Sequence, residues 1–118
     1  MSEYITVKDG TRISYDVHGE GSPILLIHGV TDCKETYDTD LPFLTKDHRV
    51  YRYDLRGHGA SDHPKHPFTL ENHIEDALAV ISKLNLHNFV LYGGSLGSYI
   101  VPGDLGCGFW PNFSHFIV

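Results

Sequence analysis

An α/β fold is predicted, a mostly parallel sheet with an N-terminal β-hairpin and flanking helices, and three observations predict it. Ile24-Leu25-Leu26-Ile27 is an unbroken apolar run of strand length, the pattern of a strand buried on both faces. Leu70, Ile74, Ala77, Leu78, Ile81 and Leu84 recur at helical spacing, and the run Asn88-Phe89-Val90-Leu91-Tyr92 follows them. Strands alternating with helices specify a sheet whose central strands run parallel beneath helical layers.

The elements follow in order. Tyr4–Val7 and Arg12–Val17 are β-rich and are joined across Lys8-Asp9-Gly10-Thr11, where the Asp-Gly pair is expected to supply the positive φ angles of a hairpin turn. Gly19–Pro23 is a turn cluster, after which Ile24–Ile27 forms a strand ended by His28-Gly29. A helix is expected over Lys34–Thr45, although Pro42, Asp38 and Asp40 dilute its apolar face. Arg49–Tyr53 reads as the next strand, and Asp54–Pro67 as a long loop rich in glycine, histidine and proline. The helix over Leu70–Leu84 has Thr69 as its N-cap and Glu71 in its first turn. Asn88–Tyr92 is the strand that leads into Gly93-Gly94-Ser95-Leu96-Gly97.

With 118 residues, of which 41% are apolar and 20% charged, the composition is that of one ordinary globular unit. A net charge of −6 with no basic cluster argues against a nucleic-acid partner, which would need a surplus of Lys and Arg to displace phosphate counterions. No apolar run approaches the ~18 residues of a membrane span, and the N-terminus lacks a basic leader with an apolar core. The expectation is a cytoplasmic protein without membrane contact. Cys33 and Cys107 sit in no metal-type spacing and read as unrelated free thiols. Nine histidines invite a metal reading, above all His58, His63, His66 and His73, but their intervals match no compact zinc pattern. A dinucleotide site fails too, because Gly93, Gly94 and Gly97 do not form Gly-x-Gly-x-x-Gly. Neither a metal nor a cofactor is expected.

Three motifs stand at strand ends and occur in order: Ile24–Val30 with His28-Gly29, Asp54-Leu55-Arg56-Gly57-His58-Gly59-Ala60-Ser61-Asp62, and Gly93-Gly94-Ser95-Leu96-Gly97-Ser98. Together they resemble the α/β-hydrolase fold family in its serine-nucleophile branch, over about Glu3–Ile100. The resemblance implies that Ser95 is a nucleophile raised on a sharp strand-to-helix elbow, with Gly93 and Gly97 giving it room. It also implies that the backbone N–H groups of Val30 and Leu96 form an oxyanion hole, each donor contributing roughly 3–4 kcal/mol to the transition state. Asp54 and Arg56 are expected to brace the loop, not to take part in chemistry. The bland alternative for Ser95 is a small residue in a tight turn. Serine at position 95 speaks against the branches of the family that use aspartate there. Gly29-Val30-Thr31-Asp32 departs from the His-Gly-Gly-Pro-Gly of the peptidase-like branch, so no peptidase is assigned.

The expected function is hydrolysis of ester-type acyl bonds of a small molecule through an acyl-enzyme. Two departures qualify it. Pro102, Gly103, Gly106, Gly108 and Pro111 make residues 101–111 atypical, because a helix forced through Pro102 and three glycines costs roughly 6 kcal/mol. The helix after Ser95 is therefore expected to stop near Val101, with Ser114–Val118 as the next strand. Residues 1–118 also correspond to the N-terminal portion of a single domain that lacks its C-terminal half, a truncated α/β-hydrolase fold. Acid and histidine partners normally follow the serine in the chain, and none of His28, His58, His63, His66, His73, His87 or His115 matches the motif position of the base. The isolated chain is accordingly expected to be inactive. The alternative is a non-catalytic remnant, or an interaction or complementation partner associating through an exposed sheet edge.

Overall fold

The computed structural model describes residues 3–29, 32–64 and 69–93 and the backbone of 115–117. The N-terminal hairpin forms from β1 (Glu3–Thr6) and β2 (Arg12–His18), paired antiparallel with Tyr4 opposite Ser14. Its turn has positive φ only at Gly10, at +89°, and not at Asp9. The Gly10 N–H donates to the Val7 carbonyl at 2.9 Å and the Val7 N–H to the Thr11 carbonyl at 2.9 Å, so one left-handed residue suffices to reverse the chain. The Asp9 carboxylate accepts from the Thr11 N–H at 3.0 Å and from Arg56 at 2.9 Å. The Thr11 and Arg56 hydrogen bonds together hold the Asp9 carboxyl well below the usual carboxylate range.

Four further strands, β3 (Ser22–Ile27), β4 (His48–Tyr53), β5 (Val90–Gly93) and β6 (His115–Ile117), complete one six-stranded sheet in the order β1-β2-β4-β3-β5-β6. Its centre, β4-β3-β5, is parallel, and the flanking pairs β1–β2, β2–β4 and β5–β6 are antiparallel. The sheet is thus mixed, with the parallel pairing confined to its centre. The expected strand near Ser114–Val118 is present as β6, but it runs antiparallel to β5, Tyr92 facing His115. An antiparallel neighbour needs no crossover helix, whereas a parallel one does. The expected helix from Leu96 to about Val101 lies outside the described residues, as do residues 101–111.

β3 is buried on both faces, as its unbroken apolar run requires. Leu25 and Ile27 pack with Tyr53, Leu91, Ala77 and Val80 on one side, and Ile24 and Leu26 with Val50 on the other. The second cluster is covered by Tyr37, Leu41 and Leu44. The helix expected over Lys34–Thr45 is broken into a 3₁₀ turn, Lys34–Tyr37, and a single α turn, α1 (Leu41–Leu44), with Asp40 just before it. Pro42 explains the break, since a proline is accommodated only in a helix's first turn and here occupies that of α1.

α2 (Leu70–Lys83) is the long helix, and its ends are built as the sequence implies. The Thr69 side chain accepts from the Asn72 N–H at 3.2 Å, and the Asn72 side chain accepts from the Thr69 N–H at 2.9 Å, which closes a capping box. At the other end Asn85 turns left-handed, with φ of +55°. The Leu86 N–H reaches the Ile81 carbonyl at 3.0 Å and the Asn85 N–H the Ser82 carbonyl at 3.2 Å, the paired bonds of a Schellman stop. Asn88 is left-handed too, so β5 begins at Val90 and not at Asn88. The buried face of α2 is His73, Asp76, Ala77 and Val80, while Leu70 and Leu78 are exposed. Two polar residues have displaced two leucines from the expected apolar stripe.

For Asp76 the reason is charge pairing. Arg56 donates to both Asp76 oxygens, at 2.6 and 2.8 Å, and its third nitrogen reaches Asp9. Arg52 pairs both Asp16 oxygens, at 2.9 and 2.8 Å, and adds Asp38 at 2.7 Å. Planar two-point pairing of this kind gives direction as well as strength. Among the described residues no helix is long and apolar enough to cross a membrane.

Asp76→Ala leaves a buried guanidinium short of its main partner and is expected to cost about 3–5 kcal/mol in urea unfolding. Asn85→Ala, at an exposed helix end, is expected to lose about 1 kcal/mol, whereas Asn85→Gly holds or raises stability; equal midpoints for both variants in thermal melts would contradict the left-handed stop.

Candidate functional site

The three central strands end level with one another. Ile27 at the end of β3 is paired with Tyr53 of β4 and with Gly93 of β5. His28-Gly29 and the loop beginning at Asp54 therefore leave the sheet at one edge, beside Gly93 at the end of β5, where open α/β sheets place their sites. Gly93 closes β5 and is buried. The other residues assigned from the sequence, Ser95, Leu96, Gly97 and Val30, lie outside the described residues.

His28 clamps two of these ends together. Its Nε2 accepts the Leu55 N–H at 2.9 Å, which leaves the ring proton on Nδ1, and Nδ1–H donates to the Gly29 carbonyl at 2.7 Å. Both nitrogens are thereby committed in the neutral ring. Burial pushes the His28 pKa below the usual histidine value, ahead of every opposing contact. His28 is thus a neutral structural group that ties the end of β3 to the start of the loop after β4, and its one basic lone pair, on Nε2, is engaged by the Leu55 N–H.

The loop after β4 is organised by Asp54, whose residue is fully buried. Its carboxylate accepts from the Lys34 N–H at 2.8 Å, from Lys34 Nζ at 2.6 Å and from the Ala60 N–H at 3.1 Å. Gly59, with φ of +49°, passes so close that a Cβ there would collide with the Asp54 carboxylate. Ser61 Oγ donates to the Asp54 carbonyl at 2.6 Å and accepts the Ser14 N–H at 2.8 Å, joining the loop to β2. The bracing roles expected for Asp54 and Arg56 hold, since both are enclosed in protein.

Lys34 was not singled out by the sequence, yet it is 2% exposed. Burial works against its ammonium, but the hydrogen bond and charge of Asp54, with Glu35, outweigh that and hold its pKa above the usual lysine value. Nζ also donates to Ser14 Oγ at 3.1 Å. Nothing local announces these contacts, because Ser14 and Asp54 each lie twenty residues from Lys34 in the chain. Cys33 is a free, half-buried thiol, and Cys107 lies outside the described residues.

A family model described as alpha/beta hydrolase fold matches residues 22–101. A non-heme haloperoxidase of Rhodococcus erythropolis is 37% identical over 95 residues, which cover 80% of this chain and 35% of the relative. An (E)-2-((N-methylformamido)methylene)succinate hydrolase of Acinetobacter baylyi is 31% identical over 103 residues, covering 87% of this chain and 39% of the relative. Among solved structures, an esterase from Exiguobacterium antarcticum superposes with a TM-score of 0.85 at 30% identity, over 89% of this chain and 40% of its own. The chain thus spans 35% to 40% of the lengths of these relatives. With its level strand ends, its His28 clamp and its Asp54-centred loop, the chain belongs to the alpha/beta hydrolase fold family.

Proposed function

We propose that this chain carries the nucleophile side of a serine hydrolase that cleaves ester-type acyl bonds of a small molecule. Ser95 attacks the acyl carbonyl, the alcohol leaves, and water later releases the acid from the acyl-enzyme. The Val30 and Leu96 amides receive the oxyanion, and Gly93 and Gly97 give the turn its space. The observation that supports this most is the Ile27–Gly93 pairing, which puts the strand segments that precede Val30 and Ser95 side by side at their ends. The His28 bonds to Leu55 and Gly29 add to it by stiffening the first of those segments. Two of the similar proteins, an esterase and a succinate hydrolase by name, act on bonds that water cleaves.

The base and acid that would complete the chemistry are not drawn from His28, Asp54 or Asp76, each of which is buried and engaged. Loss of the triad histidine alone lowers turnover by about a millionfold. The 118 residues by themselves are therefore proposed to be inactive, and the missing groups to lie in sequence corresponding to the rest of the relatives. One observation favours a second reading, a non-catalytic remnant or complementation partner: β6 runs antiparallel at the edge of the sheet, where continuation of the parallel order calls for a crossover.

Joining residues 1–100 in register to the remainder of the Exiguobacterium esterase is expected to yield a protein labelled at position 95 by a fluorophosphonate, with labelling abolished by Ser95→Ala. The 118-residue chain is expected to hydrolyse p-nitrophenyl acetate no faster than its Ser95→Ala variant. A folded chimera that resists the probe would favour the second reading.

A further inference from the structure

Three imidazoles from separate segments meet: His28 after β3, His58 in the loop after β4, and His73 in α2. The ring centroids of His28 and His58 are 5.2 Å apart and those of His58 and His73 are 6.5 Å apart. His28 is 1% and His73 5% exposed. His58 is half-buried, with Nδ1 2.9 Å from the Arg56 carbonyl. Among the described residues, Asp32 and Asp54 face His28, and Asp76 and Arg56 face His73. Asp54 is already paired with Lys34 and Asp76 with Arg56, so neither is an idle counter-ion for an imidazolium.

The bonds of His28 make this cluster sensitive to protons. Its Nδ1 already carries hydrogen, so an added proton has only Nε2 to occupy, and there it displaces the Leu55 N–H. A charge on His28 then lies beside His58, and a charge on His58 beside His73.

We propose that His28, His58 and His73 form a proton-operated latch, which at neutral pH ties the loop after β4 to the segment leaving β3 and in acid lets the two part. The proton comes from solvent and adds to the His28 Nε2, and no other covalent bond changes. Burial is the leading cause that places His28 and His73 below the ordinary histidine value of 6.5. A histidine depressed in this way favours the closed arrangement above 6.5, and that contribution is lost as the pH falls through the folded-state value. The latch therefore holds at neutral pH and opens on acidification. It stands whether or not Ser95 is a nucleophile, because all its groups belong to the clamp, the loop and α2.

The test is amide hydrogen exchange by NMR on the full chain, isotope-labelled, at pH about 7.5 and about 5, corrected for the intrinsic pH dependence of exchange. The Leu55 amide is expected to lose protection by about tenfold or more in acid, while the Val50 amide in central β4 keeps its own. In His28→Gln, whose side-chain oxygen accepts the Leu55 N–H without titrating, the acid loss at Leu55 is expected to vanish. His58→Phe keeps a ring but removes the neighbouring charge that opposes protonation of His28, and is expected to move the transition to higher pH. Equal loss at Leu55 and Val50, no loss at Leu55, a full acid response in His28→Gln, or an unmoved midpoint in His58→Phe would each overturn the latch.

Discussion

A carboxylate removed from water at the end of β4 organises the edge of the sheet from which the candidate site is built. A buried carboxylate needs donors around it, and Asp54 takes them from two segments: the Lys34 amide and ammonium from the turn after β3, and the Ala60 amide from its own loop. Satisfying one charge therefore dictates where the 3₁₀ turn after β3 and the loop after β4 must lie. Gly59 follows from the same demand, since any Cβ would occupy the space the carboxylate needs. The ion pair itself contributes little net stability, because burying both charges costs several kcal/mol that their attraction mostly offsets. Its effect is on geometry.

The same logic recurs outward from Asp54. Arg56 reaches across to Asp76 and Asp9, tying the loop to α2 and to the hairpin turn, and Arg52 ties β4 to β2 through Asp16. These guanidiniums stay protonated under all ordinary conditions, with their carboxylate partners holding them above the usual arginine value despite burial. Apolar burial along β3 and under α2 supplies the driving force for folding, whereas the buried ion pairs select which loop conformation accompanies it. The loop after β4, glycine-rich and without regular structure, is held by the side chains of Asp54, Arg56 and Ser61 together with backbone bonds such as the Gly57 N–H to the Asp62 carbonyl at 2.8 Å and the Asp62 N–H to the Arg12 carbonyl at 2.9 Å. A neutral histidine completes the arrangement by joining the ends of β3 and β4 through its two ring nitrogens.

Much of the fold was legible because its signals are local. The unbroken Ile24–Ile27 run announced a doubly buried strand, and Thr69 and the helical period announced α2 and its start. The failures are also physical. Hydropathy along Lys34–Thr45 suggests one helix, but Pro42 restricts where a helix can begin, and the apolar run behind Asn88 suggests a strand start that its left-handed backbone excludes. The apolar face of α2 was drawn through Leu70 and Leu78, when Asp76 and His73 occupy the interior in their place. A periodicity argument ranks residues by hydropathy, and an aspartate whose partner is Arg56, twenty positions away, is invisible to it.

For the site, the order of the three motifs was enough to name the fold family and to nominate Ser95, Val30 and Leu96, because those assignments depend on residue type and spacing along the chain. Composition and hydropathy likewise determined the alternation of strand and helix, since backbone propensity and burial period act over a few residues. Only the tertiary structure decided that β3, β4 and β5 end in register, that β6 returns antiparallel, and that Lys34 is buried against Asp54. Those are pairings between residues far apart in the chain, and their energy exists only once both partners have left water together.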